Sequence, residues 1–356
     1  MARASGYFKT SYSKDLSLLE TRLQMTSLTV FLAALLLFPF IASTFYVDIA
    51  NQIFLAAIGA VSLMLLTGCA GQVSLGHAGL LAAGAFTTGV LFEEVAAPFW
   101  VTLPAAAMVG AVLGIVFGLP SLRLKGLYLA ISTLALHFIV IFVGGEYESR
   151  RGYSTGILID SPAIGDWELS SPRAWYFALF AIDICVVLFS LNLLRSRTGR
   201  AWAAIRDHDV VAEALGVPVH AYKLLAFVIS STLTAVAGCL FAYYTNFVTE
   251  GAFNLFLTIQ YVAMVIIGGL GSILGALLGA AFVVLFPYVI ESTLAFLPFA
   301  DDVSGYLHAV NFSAFGLIMI LFLVLEPDGL VGIWRRLRDY FLLWPFRSTP
   351  LGGGNR

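Results

Sequence analysis

Charge is what this sequence has least of: Asp, Glu, Lys and Arg make up 11% of its 356 residues, against 60% hydrophobic. Such a composition cannot cover a soluble globule with a polar skin, so a polytopic membrane protein is what remains. Lysine is the scarcest charge. The chain has only Lys9, Lys14, Lys125 and Lys223, and none of them follows a glycine. A phosphate-cradling loop of the G-x-x-x-x-G-K-[ST] type is therefore excluded, and with it nucleotide chemistry by this chain. Cys69, Cys185 and Cys239 all fall inside apolar runs, leaving neither a disulfide framework nor metal-ligand spacing. No nucleophile–base pair stands out, so an enzyme is not expected, and no cofactor or nucleic-acid partner is.

Long apolar runs fill the rest. At about 17 to 25 residues per crossing, spans fall near 27–47, 50–67, 78–95, 99–118, 127–144, 174–194, 223–248, 255–270, 273–291 and 306–325. The expected fold is thus an all-α integral membrane protein of about ten transmembrane helices with both termini cytoplasmic. Its parts are a cytoplasmic segment 1–26, a membrane domain 27–325 interrupted by a cytoplasmic loop 195–223, and a tail 326–356. Arg3, Lys9, Lys14 and Arg22 precede a run long enough to span, which is read as an uncut first helix. The positive-inside rule supports the ten, since sixteen of the nineteen Lys and Arg fall on the amino-terminal side, leaving Arg150, Arg151 and Arg173 outside. The segment 255–291 is the shortest stretch asked to hold two crossings; a tilted single helix or a re-entrant pair also fits its length.

Polar exceptions to this pattern mark candidate sites. Ser196–Lys223 is the one long charge-dense segment between spanning runs. Asp207 or Asp209 can cap a helix of about two turns there, and Gly216 with Pro218 can stop it. Val211 and Leu215 then share a face beside a small Ala212, as a plug for a groove on another protein would. In Leu66–Gly79, glycines 68, 71, 76 and 79 with Gln72, Ser74 and His77 break two apolar runs. Irregular backbone at membrane depth survives where protein or a water-filled path satisfies it; a tight cytoplasmic hairpin fits the spacing equally. Small residues every four positions, at Ala106, Gly110, Gly114, Gly118 and at Gly271, Gly275, Gly279, are expected to be packing seams without chemistry. Asp183, mid-way along 174–194, is either a path residue or a carboxyl held inside the bundle.

These segments carry a resemblance. The runs A-A-I-R-D-H-D-V-V-A-E-A-L-G-V, G-C-A-G-Q-V-S-L-G-H-A, P-S-L-R-L-K-G-L-Y-L-A-I-S-T-L-A, I-G-G-L-G-S-I-L-G-A-L-L-G-A and L-E-P-D-G-L-V-G are similar, in order, to the branched-chain amino acid permease family of ATP-binding-cassette importers, in particular its larger permease. The chain departs from that family at His208, where an Asn is usual, and at Arg150–Gly156 in the outer loop. The resemblance implies a bacterial inner-membrane subunit forming half of a pathway for branched-chain or other hydrophobic amino acids. It also implies a second permease, two ATP-binding subunits that hold the ATP, an external solute-binding protein and surrounding lipid. Arg206, Asp207, Asp209, Ala212, Glu213, Leu215 and Gly216 would then couple to the ATPase. Gly68, Gly71, Gln72, Ser74, Gly76, His77, Asp183, Gly268, Gly269 and Gly271 become candidates for pathway or hinge, and Arg150 and Arg151 for binding-protein contact. Urea or short amides are alternative cargoes, and an ion-coupled carrier built on Asp183 is the alternative of a different class.

Overall fold

Ser43 decides where the amino-terminal helices divide. In the computed structural model, which describes residues 22–122, 126–153, 156–164, 167–295 and 307–343, α1 is Arg22–Ile41 and α2 starts at Thr44, after Ser43 takes an extended backbone at ψ 160°. The expected division near 48–49 is not found. Asp48, expected between the first two spans, lies inside α2 together with Asn51 and Gln52, and these side chains bond to one another and to neighbouring helices. Asn51 Nδ2 donates to the Pro172 carbonyl at 2.9 Å, Gln52 Nε2 to Asp48 at 3.0 Å and Tyr288 Oη to Gln52 at 3.1 Å. The Tyr244 hydroxyl donates to the Asp48 carboxylate. Arg3, Lys9, Lys14, Arg123, Lys125, Ser154, Thr155, Asp166, Arg347 and Arg356 lie outside the described residues.

The remaining helices are α3 His77–Val95, α4 Phe99–Ser121, α5 Leu127–Arg151, α6 Pro172–Arg195, α7 Arg197–Ala214, α8 Val219–Thr245, α9 Leu255–Gly268, α10 Ile273–Ala295, α11 Leu307–Leu325 and α12 Gly329–Leu343. A π-helical stretch, Met64–Cys69, continues α2. Two-residue strands β1 Ile157–Leu158, β2 Ala163–Ile164, β3 Trp167–Glu168 and β4 Phe247–Val248 pair antiparallel as β1 with β4 and β2 with β3. The protein is a polytopic helical membrane protein.

The expected ten crossings are only partly recovered. Seven helices among the described residues are long and apolar enough to cross a membrane, and the pair Asn311–Leu325 and Gly329–Tyr340, bent by 51°, adds an eighth if taken as one span. Met25–Ile41 and Leu255–Gly268 are apolar but shorter. At 1.5 Å per residue α9 reaches only about 21 Å, less than a hydrocarbon core of about 30 Å.

Helix α8 is the centre of the bundle, because its neighbours come close enough to touch backbone. A Cβ on Gly110 of α4 would lie 2.6 Å from the Ser231 carbonyl, and one on Gly114 would lie 2.9 Å from Val228 Cα. On α3, Gly84 meets the Ala235 backbone, and Gly238 of α8 reciprocates against the Leu81 backbone. In lipid such contacts supply the packing that apolar side chains cannot, since tails solvate leucine as well as protein does. The first expected seam is therefore a packing face. The second is shorter than expected: Gly275 and Gly279 pack against α9, whereas Gly271 lies in the α9–α10 turn with φ +79°.

Helix ends sort onto two faces. One holds the Asp48–Tyr244 pair, Thr102 with Tyr243 at 2.8 Å, the ion pair of Arg151 with Glu94, and the β1–β4 ladder. The other holds α7, the end of the π-helical stretch, the α9–α10 turn and the root of α12. Between them, exposed Val112, Val116, Phe138, Phe142, Leu188 and Ile320 leave an apolar surface that only lipid or another membrane subunit would cover.

Candidate functional site

The site is built on α7, and its local sequence explains its shape. Ser196 caps the helix, its Oγ accepting from the Thr198 N–H at 3.1 Å. Trp202 is buried and donates from Nε1 to the Tyr222 carbonyl at 2.9 Å, tying α7 to the start of α8. Ile205, Ala212 and Val219 form a small core of their own. At His208 the backbone leaves helical geometry (φ −155°, ψ 99°), so a long first part and a short second part meet at a kink between the two aspartates. A first helix capped by Ser196 thus precedes the expected one, and the short second helix follows the break at His208. Gly216, at φ +85°, ends it as expected.

Ala212 corrects the expected plug. It is 1% exposed and faces the protein, where a small side chain lets the short helix sit down on Ile205 and Val219. The outward face is made instead by Val210, Val211 and Leu215, the last 79% exposed, with Glu213 and Gly216 also at the surface.

Arg206 turns inward as well. Its Nη1 donates to the Gly68 carbonyl at 2.7 Å, satisfying an acceptor where the π-helical stretch frays, and its Nε lies 3.8 Å from Asp207. A Cβ on Gly271 would meet the same Nη1 at 2.9 Å, and one on Gly71 would meet Arg206 Cγ at 3.1 Å. One guanidinium therefore joins three elements: α7, the end of α2 and the α9–α10 turn. Beside it Lys223 pairs with Asp209 at 3.3 Å across the kink. A cavity of about 250 Å³ opens here, lined among others by Gly71, Gln72, Arg206, Asp207, Asp209 and Lys223. Both signs of charge line it, an environment suited to a polar or zwitterionic solute, or to water.

The break after α2 runs inward from this cavity. Gln72 Nε2 donates to the Lys223 carbonyl at 3.0 Å, the Leu75 N–H to Thr133 Oγ1 at 2.9 Å and the Ala78 N–H to Thr258 Oγ1 at 3.1 Å. Irregular backbone is thus satisfied by side chains from α5 and α9 and by the start of α8, as the bilayer requires. His77 is 1% exposed, 4.8 Å from the Tyr261 ring and 3.5 Å from Thr234 Oγ1, so it belongs to the interior and not to an interfacial hairpin. Ser74 and Gly76 are buried with it. Gly268 and Gly269 sit one turn away, where a Cβ on Gly269 would lie 2.7 Å from the Asp328 carbonyl.

Asp183 lies elsewhere. It shares the buried face of α6 with Tyr176, Leu179, Phe180 and Val186, against α2, and its Oδ1 has no hydrogen-bond partner among the described residues. It does not line the cavity. Replacement by Asn keeps size and removes charge, so Asp183→Asn is expected to leave uptake within about twofold of the parent, a change below 1 kcal/mol. A collapse of uptake in that variant, at unchanged membrane abundance, would return Asp183 to the path.

Arg150 and Arg151 end α5 on the opposite face. Arg151 is tied to Glu94, while Arg150 is exposed and paired along the helix with Glu146 at 2.7 Å. Sequence reasoning missed Lys223, Thr133, Thr258 and the Asp328–Gly329 turn as members of the junction. Lys223 carried a signal as the last charge before an apolar run of spanning length, and Thr133 and Asp328–Gly329 lie in runs that carry the family resemblance, whereas Thr258 had none.

The arrangement has relatives. A family model described as the branched-chain amino acid transport system permease component matches residues 45–324. The chain belongs to that permease family. It is 30% identical over 334 residues to the high-affinity branched-chain amino acid transport system permease protein LivM of Salmonella typhimurium, covering 86% of this chain and 75% of that one. It is 26% identical to the probable branched-chain amino acid transport permease protein LivH of Methanocaldococcus jannaschii, over 67% of this chain and 76% of that one. It is also 29% identical to the autoinducer 2 import system permease protein LsrC of an Enterobacter strain, over 51% and 53%. No solved structure matches. The match to the permease family spans α2 through nearly all of α11, so it takes in the junction around Arg206, while α12 lies beyond it.

Proposed function

We propose that this permease is one half of the transmembrane pathway of an ATP-binding-cassette importer in the bacterial inner membrane, and that it carries branched-chain or other hydrophobic amino acids. In this reading a second, related permease completes the pathway, two separate ATP-binding subunits drive it, and an external binding protein delivers the solute. The chain crosses ten times, with both ends cytoplasmic. The seven long helices, α11 and the two shorter apolar helices are consistent with that number, with α12 lying beyond the tenth crossing, and the sorting of helix ends onto two faces supports the alternation. Arg195, Arg197, Arg200, Arg206, Lys223 and Arg335–Arg338 collect on the α7 face, as cytoplasmic arginine and lysine do.

One observation carries the coupling role. The exposed knob of Val210, Val211, Glu213 and Leu215 is the outer end of a helix whose inner side is tied by Arg206 to the broken α2 and to the α9–α10 turn. A push on the knob reaches the broken end of α2, which borders the cavity, and the α9–α10 turn beside Arg206. Solute then leaves beside Gly71, Gln72 and Lys223 when the junction opens. Gly68, Gly269 and Gly271 act as the points about which it moves.

The test is to charge the knob. Val211→Asp with Leu215→Asp is expected to lower uptake of labelled leucine at least about tenfold, since removing a central anchor costs about 2 kcal/mol or more. The ATP-binding subunits should no longer co-purify, while the amount of permease in the membrane stays the same. Unaltered co-purification would refute docking at α7. Cargo is decided separately by which solute the external protein binds; the relative named for autoinducer 2 import supports a family range wider than amino acids.

A further inference from the structure

Helix α12 has no place in the transport reading, and its composition differs from that of every spanning helix. Leu330, Ile333, Trp334, Leu337 and Tyr340 recur at helical spacing along one side of Gly329–Leu343, while Arg335 and Asp339 fall on the other and Arg336 and Arg338 at the two flanks. Its root is fixed. Gly329 adopts φ +65° in a turn closed by its N–H to the Glu326 carbonyl at 2.8 Å, and Val331 is buried, with Cβ 3.4 Å from where a Gly269 Cβ would stand. Beyond the root the apolar side is exposed: Trp334, Leu337 and Tyr340 are 54%, 51% and 54% exposed.

What covers that side follows from where the helix begins. Val324 and Leu325, at the end of the apolar α11, are themselves exposed, and α12 starts after a three-residue turn at an angle of 51°. The exposed stripe is therefore continuous with a surface that faces lipid tails. The remaining surface of the helix, flanks included, holds three arginines against one aspartate. Arg336 pairs with Glu326 at 2.6 Å and Arg338 with Asp339 at 3.0 Å, while Arg335 makes no ion pair among the described residues. A helix with Trp and Leu on one side and arginines on the other lies in the headgroup region, and surplus positive charge there selects anionic headgroups.

We propose that α12 is an anionic-lipid docking surface: Trp334, Leu337 and Tyr340 enter the acyl boundary, and Arg335, Arg336 and Arg338 hold phospholipid headgroups of net negative charge. The inference does not depend on the cargo or on the partners that drive transport.

The test uses the full chain in lipid nanodiscs containing either brominated phosphatidylglycerol or brominated phosphatidylcholine. The fluorescence of Trp334 is isolated by subtracting that of Trp334→Phe. Bromine should quench the Trp334 signal, and the anionic lipid should do so at a lower mole fraction than the zwitterionic one. With Arg335→Gln, Arg336→Gln and Arg338→Gln combined, that preference should fall by roughly fivefold for each charge removed. A Trp334 signal quenched by neither lipid would mean that protein covers the helix, and equal quenching by both in the parent chain would mean that charge plays no part. Either result overturns the proposal, and neither needs the triple variant to fold.

Discussion

Under the proposed coupling, Arg206→Ala is expected to lower solute uptake about tenfold while the permease remains inserted and the proposed ATP-binding subunits remain attached. Arg206 donates to the Gly68 carbonyl at 2.7 Å, and its side chain is 47% exposed, so water screens part of the interaction. A charge-assisted hydrogen bond at the weaker end of its range is worth about 1.5 kcal/mol, which is the tenfold. Loss of the bond leaves the Gly68 acceptor open and detaches α7 from both the end of α2 and the Gly271 turn. ATP hydrolysis should then continue without matching transport. Arg206→Lys should recover little, because an ammonium cannot span from Gly68 to Asp207 as a planar guanidinium does. Uptake at parental level in Arg206→Ala would show that motion reaches the pathway by another route.

Gly238→Val should prevent the permease from accumulating at all. Its Cβ would press on the Leu81 backbone, and carbonyl oxygens cannot rotate away as a side chain can. Overpacking in an ordinary core costs about 1–3 kcal/mol; here α8 touches α3 along a seam in which Gly84 makes the reciprocal contact with Ala235. Relief requires moving a whole helix against α4 as well. Gly316→Ala is the control: nothing lies within 4 Å of a Cβ there, and it should be neutral. Membrane-inserted yield and the thermal midpoint in detergent report both variants. A Gly238→Val protein that accumulates and melts like its parent would remove α8 from the centre of the fold.

The order of helices was legible because lipid imposes a length and an apolar composition on every crossing. The glycine seam of α4 was legible for a related reason, since periodic small residues have few other uses in a membrane helix. The direction in which a side chain points was not. Val211, Ala212 and Leu215 were grouped by size and spacing, yet Ala212 faces Ile205 and Val219 because the kink at His208 rotates the short helix relative to the long one. Asp48 was expected between two spans because a charge in sequence does not reveal its partner in space, yet it lies in α2 with Asn51 and Gln52. Their partners stand on α6, α8 and α10.

The sequence by itself determined that this chain lives in a membrane, that it is helical, that it has no G-x-x-x-x-G-K-[ST] run and that it resembles an importer permease. Those are consequences of composition and of residues adjacent in the chain. Tertiary structure alone decided that Arg206 binds Gly68, that Gly271 stands beside both, and that Lys223 lines the cavity. These groups are separated by many crossings, and only helix packing brings an arginine to a carbonyl 138 positions away.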